Sequence, residues 1–480
     1  MNRPAPGLEV TSPRFVEVAH DAMGDAQLQR ALGRLKSGLS ALRGAAVAGL
    51  PEFETLRDDG AAIRAHTLAH LDHYLLAFEA RVAEAGGVVH WAADAAEARE
   101  IVLDICRAVG ARRVTKGKSM VTEEIELDAH LAAHGIDCLE TDLGEYIVQL
   151  RRERPSHIVA PAIHVLKEQV ADTFAEHHRD EPGLGAFDRS EAAGLMAEAR
   201  AVIRRRFLEA DVGITGANFA IAETGSTVIV TNEGNGDLTQ SLPPVHVAVT
   251  GIEKLVPTLD DASTLIRLLT RSATGQEASV YTTFSTGPRR AEDPDGPEQF
   301  HVVLVDNGRS AMLGSEFEDM LRCIRCGACL NHCPVYGQVG GHAYGSVYPG
   351  PMGAVLTPSL AGIDVAGHLP NASTFCGACE AVCPVRIPLP KLMRHWRARE
   401  FEAGLAPAAM RRGLALWAFA ARRPRLYRRL AGLGARLLAR LGGRRGRLRR
   451  LPLGGGWTAW RDLPAPEGET FLAAWERQVK

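Results

Sequence analysis

The stretch CIRCGACLNHCP, residues 323–334, spaces four cysteines as CxxCxxCxxxC and closes on proline; STFCGACEAVCP, residues 373–384, repeats it with Ser373 where a first cysteine is expected. Two-residue gaps let one tight loop present three sulfurs to three corners of a cubane, while the fourth cysteine points away and serves the other cluster. The proline stops the short helix and turns the chain. The spacing therefore predicts a small, mainly α, bacterial-ferredoxin-type domain with two iron-sulfur clusters. Crossed ligation gives cluster 1 to Cys323, Cys326, Cys329 and Cys383, a full set for [4Fe-4S]. Cluster 2 takes Cys333, Cys376 and Cys379, with its fourth iron facing Ser373, water or a partner's group. As isolated, that second centre is either [4Fe-4S] or [3Fe-4S]. Zinc is the alternative for any cysteine cluster, but structural zinc sites rarely use this run twice. His332 and His342 lie inside the module and read as hydrogen-bonding or packing residues before they read as ligands.

Two such clusters make an electron wire, and a one-electron carrier does not by itself oxidise a substrate by two electrons. A partner or a further cofactor is therefore required. The other two cysteines, Cys106 and Cys138, sit singly in a helical pattern and at a strand entry, where a free thiol behaves as a small buried hydrophobe.

Outward from the cysteines, the 480 residues divide by pattern into four parts. Residues 1–69 carry helical periodicity, as in LQRALGRLKSGLSAL, and form an arm or packing layer. Residues 70–306 alternate short apolar runs with helices: GGVVHWA, RRVTKG, SHIVAPAI, TVIVTN, VHVAVTGI and HVVLVD read as strands, which implies an α/β layer on a largely parallel sheet. Residues 307–398 are the cysteine module, rich in Gly and Pro between its two runs, with little apparent capacity for a core without metal. Residues 399–480 form a helical Arg-rich tail and a closing segment, GGGWTAWRDLPAPEGETFLAAWERQVK, expected to pack back onto the body.

Hydrophobic residues make up 46% and charged residues 23%, an ordinary globular balance. Neither a signal-like amino terminus nor an apolar run of the ~18 residues that span a bilayer is present, so a cytoplasmic protein is expected. The net charge is −2, yet between Glu402 and Asp462 there are fifteen Arg and no Lys or acid. In RLYRRLAGLGARLLARLGGRRGRLRR, Leu430, Leu433, Leu437, Leu438 and Leu441 share one helical face. That basic amphipathic helix suits peripheral contact with an anionic membrane surface at its inner face, or an acidic partner, as well as simple solvation. No nucleic-acid motif accompanies the charge.

In the α/β region, residues 213–258 place Gly213, Gly216, Gly225, Gly234 and Gly236 beside strands, where backbone N–H groups can cradle an anion. GxGxxG and GxxxxGK[ST] are both absent, and no NAD or flavin motif is found. Catalytic roles stay unassigned; Glu223, Thr224, Asn218, His246 and Lys116 are candidates, with Asn232, Glu233, Lys254, Lys118 and Ser119 as further polar groups. Turn capping or surface solvation explains each of them equally well when taken singly.

The runs TGANFAIAETGS, VTNEGNGDLT, LPPVHVAVTGIEKLVPT, CIRCGACLNHCPVY, GGHAYGSVYPGPMGAVLTP, FCGACEAVCPVRIPLP and GWTAWRDLPAP resemble the iron-sulfur subunit family of bacterial L-lactate utilisation complexes, lactate utilization protein B. The resemblance implies a lactate-utilisation (LUD) domain of the NagB/RpiA-like α/β type followed by the two-cluster module. It also implies companion subunits, with this subunit carrying electrons as L-lactate is oxidised to pyruvate, a component of an oxidoreductase complex rather than a complete enzyme. Its cluster positions match all seven cysteines of the module, and family members tend to carry serine at the position of Ser373. The Arg-rich tail finds no match in it. Alternatives remain a related 2-hydroxy acid such as glycolate, a sugar-phosphate or acyl-type enzyme with structural clusters, or a scaffold for the companions. The electron acceptor is not readable.

Overall fold

Ten short strands between Val88 and Val305 build two sheets: β1 (Val88–Ala92), β2 (Arg113–Lys116), β3 (Asp137–Glu140), β4 (Val212–Thr215), β5 (Phe219–Ile221), β6 (Ser226–Thr231), β7 (Val245–Gly251), β8 (Leu255–Val256), β9 (Tyr281–Ser285) and β10 (Gln299–Val305). This computed structural model describes residues 10–451, 454, 458 and 461–479, without the side chains of Lys36 and Ser37. The larger sheet runs β1-β10-β7-β4-β2-β3, and every pairing in it is parallel. Its central strand β7, VHVAVTG, is buried at every position. Burial on both faces is what an uninterrupted apolar strand of a parallel sheet requires.

The connections from β2 and from β4 run to opposite sides of the sheet, to β3 and to β7. The crevice outside the carboxyl ends of β2 and β4 is therefore the topological switch point, the usual place for a ligand in such sheets. Short polar caps fix the loops there. Ser119 caps the helix Met120–Glu124 that follows β2, and Asp142 Oδ1 accepts the N–H groups of Gly144 and Glu145 after β3.

The smaller sheet, β8-β5-β6-β9, was not expected from the sequence. It pairs β5 with β6 and β6 with β9 antiparallel, and β5 with β8 parallel. SHIVAPAI, read as a strand, is a loop. Pro155 precedes it and Pro161 interrupts it, and His157 Nδ1 accepts the N–H groups of Val159 and Ala160 at 3.0 Å each, a side-chain turn in place of a ladder.

Residues of the cysteine module and of the amino-terminal helices share one core. Leu32, Leu35, Phe53, Leu56 and Leu68 pack in the same cluster as Met320, Leu330, Tyr336, Tyr348, Leu392 and Trp396. This corrects the expectation that residues 307–398 lack the means for a hydrophobic core. The helix Gly350–Ala361 is buried at all but one of its positions, covered by the helix Leu389–Glu402 and by the short helices of the module itself, while the amino-terminal helices join the same core. Buried arginines stitch the layers. Arg57 donates to the carbonyls of Ala381 (2.8 Å) and Cys383 (2.8 Å and 3.0 Å), and Arg43 donates to Val382 O at 2.9 Å. Arg64 donates to Leu255 O, Glu253 O and Leu321 O, tying β8 to the residues just before Cys323.

All of this belongs to the unit that ends at Glu402; Ala403–Lys480 forms a second one. That unit holds the helices Ala408–Ala421, Pro424–Gly442 and Phe471–Gln478 and a two-stranded ribbon, Arg447–Leu448 with Leu463–Pro464. Leu430, Leu433, Leu437 and Leu441 are exposed on the second of these helices. Part of the closing segment, residues 455–457, 459–460 and 480, lies outside the described residues. Among the described residues no helix is long and apolar enough to cross a membrane.

Candidate functional site

The two cysteine runs fold as structural repeats, down to their irregular backbone. Cys323 and Ser373 each terminate a short 3-10 helix in extended conformation, with φ/ψ of −61°/123° and −70°/135°. Two residues on, Arg325 and Phe375 are left-handed at φ 59° and 54°. Two further on, Gly327 and Gly377 are left-handed at φ 73° and 81° and open the helices Ala328–Asn331 and Ala378–Ala381. A non-glycine residue at positive φ costs energy, and its recurrence at matching positions marks a loop built to aim side chains. The N–H of Arg325 donates to Cys323 Sγ at 3.4 Å, and the N–H of Phe375 donates to Ser373 Oγ at 3.1 Å.

The thiols fall into two groups by the fields they exert on one another. Burial first, then Cys383 and Cys323, push Cys326 up to about 12. Burial, with Cys323, Cys326, Cys379 and Cys383 behind it, raises Cys329. Burial takes Cys383 to about 11, with Cys323 among its raising neighbours. In the other group, burial and then Cys333 take Cys379 to about 12, and burial with Cys376 raises Cys333. The only field that crosses between groups in this set is that of Cys379 on Cys329. Thiols crowded and buried in this way hold their protons until a cation displaces them, which is the chemistry of a soft-metal site. A small cavity lined by Cys333, Ser373, Cys376 and Cys379, walled by Pro334, Pro351 and Pro390, marks the second group. The residues thus fit two iron-sulfur centres. His332 and His342 turn to backbone carbonyls, donating to Ala328 O at 2.9 Å and Arg154 O at 2.7 Å.

A larger cavity, about 350 Å³, opens at the switch point of the main sheet. Gly117, Lys118 and Ser119 line it after β2, Thr215 and Gly216 at the end of β4, and Lys254 after β7; β6 and the loop beyond it add Thr231, Asn232, Glu233 and Asn235. Gly216 must be glycine, because a Cβ there would come within 2.7 Å of Ser119 Oγ. Arg325, from the first cysteine loop, completes the wall. The cavity and the Cys323 loop therefore share a residue.

Behind this wall lies a buried charge network that sequence reading did not find. Arg309 pairs with Glu124 at 2.8 Å and with Glu253 at 2.7 Å; Arg325 pairs with Glu253 at 3.3 Å and stacks over Tyr348. Tyr348 Oη and Asn307 Nδ2 donate to Glu124 at 2.5 Å and 2.6 Å. Both carboxylates are thereby spent on arginines. Lys254, 5% exposed, has no hydrogen-bond or ion-pair partner among the described residues, and burial followed by the Arg325 charge pushes it down to about 7.

Of the candidates read from sequence, Asn218 lines the cavity and the other four do not. Glu223 Oε2 accepts the Leu259 N–H at 3.0 Å, and Thr224 Oγ1 donates to Ser226 Oγ at 2.8 Å. His246 is buried within β7 against Thr215 Oγ1 at 2.8 Å. Lys116 is enclosed by Glu123 (3.0 Å), Asp128 (3.3 Å) and Glu140, so its charge is already matched. Asn232, Glu233, Lys254, Lys118 and Ser119 are brought to the cavity. Arg325 and Asn235 were overlooked, although Arg325 stands inside the quoted cysteine run.

Residues 75–305 match the LUD domain, and residues 319–387 match the 4Fe-4S dicluster domain. The chain is 42% identical over 479 residues to lactate utilization protein B of Bacillus licheniformis, covering 98% of each chain. It is 47% identical over 431 residues to lactate utilization protein B of Geobacillus thermodenitrificans, covering 88% of each. Among solved structures, a duf162 family protein from Deinococcus radiodurans aligns with 49% of this chain and 98% of its own at 19% identity and a TM-score of 0.27.

Proposed function

The chain belongs to the lactate utilization protein B family, and from that premise we propose that it is the iron-sulfur electron-transfer subunit of a complex that oxidises L-lactate to pyruvate. The observation that supports the reading is the repeated loop pair, for which our ligand sets are Cys323, Cys326, Cys329 and Cys383 at one centre and Cys333, Cys376 and Cys379 at another. Bound [4Fe-4S] clusters supply one-electron redox chemistry at each. Oxidising lactate releases two electrons and two protons; companion subunits bring the two-electron chemistry, and this chain receives the electrons singly.

The chain's own residues hold and insulate the centres. Arg57 fixes the carbonyl of Cys383, Arg64 fixes the approach to Cys323, and buried Leu330, Val385 and Ile387 exclude water. Ser373, lying where Cys323 lies in the other repeat, faces the open corner of the second centre. The all-parallel main sheet supports a NagB/RpiA-like domain over residues 70–306, beside the cluster domain 307–398. The exposed leucines and arginines of the Pro424–Gly442 helix, where Arg428 pairs with Glu476 at 3.2 Å, support peripheral contact of this cytoplasmic protein with an anionic membrane face.

The test is anaerobic redox titration followed by electron paramagnetic resonance, alone and with the companion proteins. Two centres reducible by dithionite, and by L-lactate only when the companions are present, are expected. Clusters that dithionite cannot reduce would remove electron transfer from the reading.

A further inference from the structure

We propose that the cavity at the switch point binds the monoanion of a small hydroxy acid, with Lys254 holding its carboxylate and Asn235 accepting its hydroxyl. A cation enclosed by protein normally has a counter-charge, because leaving it unpaired in a low dielectric is costly. Lys254 makes no ion pair among the described residues: the field of the adjacent Glu253 reaches it, but both oxygens of that carboxylate are engaged by Arg309 and Arg325, and burial lowers the pKa of the ammonium so that an anion in the cavity would restore its charged form. Lys254 lines the cavity, so the missing anion has a place to enter.

The remaining wall specifies more than charge. Asn218 Oδ1 accepts the Val230 N–H at 2.8 Å, which leaves the Nδ2 donor for a ligand oxygen. Asn235 Oδ1 and Thr231 Oγ1 are buried without a hydrogen-bond partner, and both residues line the cavity. A buried amide oxygen without a donor is as anomalous as a buried cation without an anion. A hydroxy acid answers both, its carboxylate satisfying Lys254 and Asn218 and its hydroxyl donating to Asn235. Asp142 and Glu233 also line the cavity, and Lys118 lies 3.8 Å from Asp142 while donating to Val159 O. These carboxylates disfavour a dianion such as phosphate. The volume exceeds what a three-carbon acid fills, so longer 2-hydroxy acids fit as well. Because Arg325 lines the cavity and its N–H meets Cys323 Sγ, the acid would lie beside the first cysteine loop.

The proposal rests on the lactate-utilisation reading only for its first probe. Calorimetric titration of the anaerobic holoprotein, without companions, would use L-lactate, L-2-hydroxybutyrate, propionate and inorganic phosphate. Saturable binding of the hydroxy acids is expected, about tenfold tighter than propionate, with phosphate weakest. Lys254→Met should weaken every carboxylate about tenfold or more, and Asn235→Ala should bring L-lactate down to the level of propionate. Cluster signals by electron paramagnetic resonance report whether each variant is folded; if Lys254→Met loses them, Lys254→Gln carries the charge arm and Asn218→Ala the amide arm, each expected to weaken carboxylate binding. No saturable binding by either hydroxy acid, phosphate binding more tightly than they do, or folded variants that bind like the parent would overturn the proposal. A protein whose clusters reduce normally yet binds no acid would sink this inference and leave electron transfer standing.

Discussion

The N–H of Phe375 donates to Ser373 Oγ at 3.1 Å, repeating the contact that Arg325 makes with Cys323 Sγ at 3.4 Å. The serine is thus held in the attitude of a ligand, within the small cavity that Cys333, Cys376 and Cys379 also line. Ser373→Cys should place a fourth thiolate at that corner without moving backbone. The expected result is a change in the electron paramagnetic resonance signal of one centre, with the other centre's signal and potential unaltered. An unchanged spectrum, or a change in both centres, would break the crossed assignment.

How much of this could be read beforehand followed from locality. The repeated cysteine loops are legible because the cysteines of each run lie within eleven residues of one another, so that matching spacing goes with matching backbone. The parallel sheet is legible because strands such as VHVAVTG are short, largely apolar runs bounded by turn residues, and this one is buried on both faces. SHIVAPAI misled because an apolar run looks the same whether it joins a ladder or is held by a histidine side chain. The cavity was only partly legible: Lys254, Asn235 and Arg325 come to its wall from three separate segments, and Arg325 lies about seventy residues beyond Lys254. His246 and Lys116 looked chemical because a charged or titratable residue within a strand is unusual, yet each is matched inside the fold.

Arg57 is a second place where the fold and the first centre can be separated experimentally. It is 5% exposed, pairs with Glu54 and donates to two carbonyls of the loop that ends in Cys383. Arg57→Leu keeps apolar bulk but leaves those carbonyls unsatisfied, at a cost of about 1–3 kcal/mol for each buried group. A fall of several degrees in the thermal midpoint is expected, with preferential loss of the cluster that includes Cys383. Calorimetry and iron content per chain measure the two effects; an intact iron count at unchanged stability would contradict the assignment.

The tail offers a prediction independent of the clusters. Arg436 and Arg440 are exposed on the helix that presents Leu433, Leu437 and Leu441. Replacing both arginines by Glu reverses two charges and spares the leucines. Each basic residue near an anionic surface contributes about 1 kcal/mol, so co-sedimentation with phosphatidylglycerol vesicles should fall by about tenfold or more. Parent binding should also weaken as salt rises. Equal sedimentation of parent and variant would remove the membrane reading.

His246 gives the stability a pH dependence with a defined sign. Burial, then the nearby His301, lowers its pKa to about 3, whereas an unfolded chain titrates its histidines near 6.5. Above that value the ring is neutral in both states and contributes no slope. Below it the unfolded chain takes up a proton that the folded protein refuses, so stability drains as pH falls towards 3, at about 1.4 kcal/mol per pH unit once the unfolded group is fully protonated. His246→Gln can keep a bond to Thr215 and removes the titration. Denaturant unfolding of both proteins at pH 7.5, 6.0 and 5.0 isolates the term, because the acid lability of the clusters is common to the pair. The parent should lose roughly 1 kcal/mol more than the variant between pH 6.0 and 5.0. Parallel losses would mean that the ring is protonated in the fold, with Thr215 Oγ1 accepting its proton.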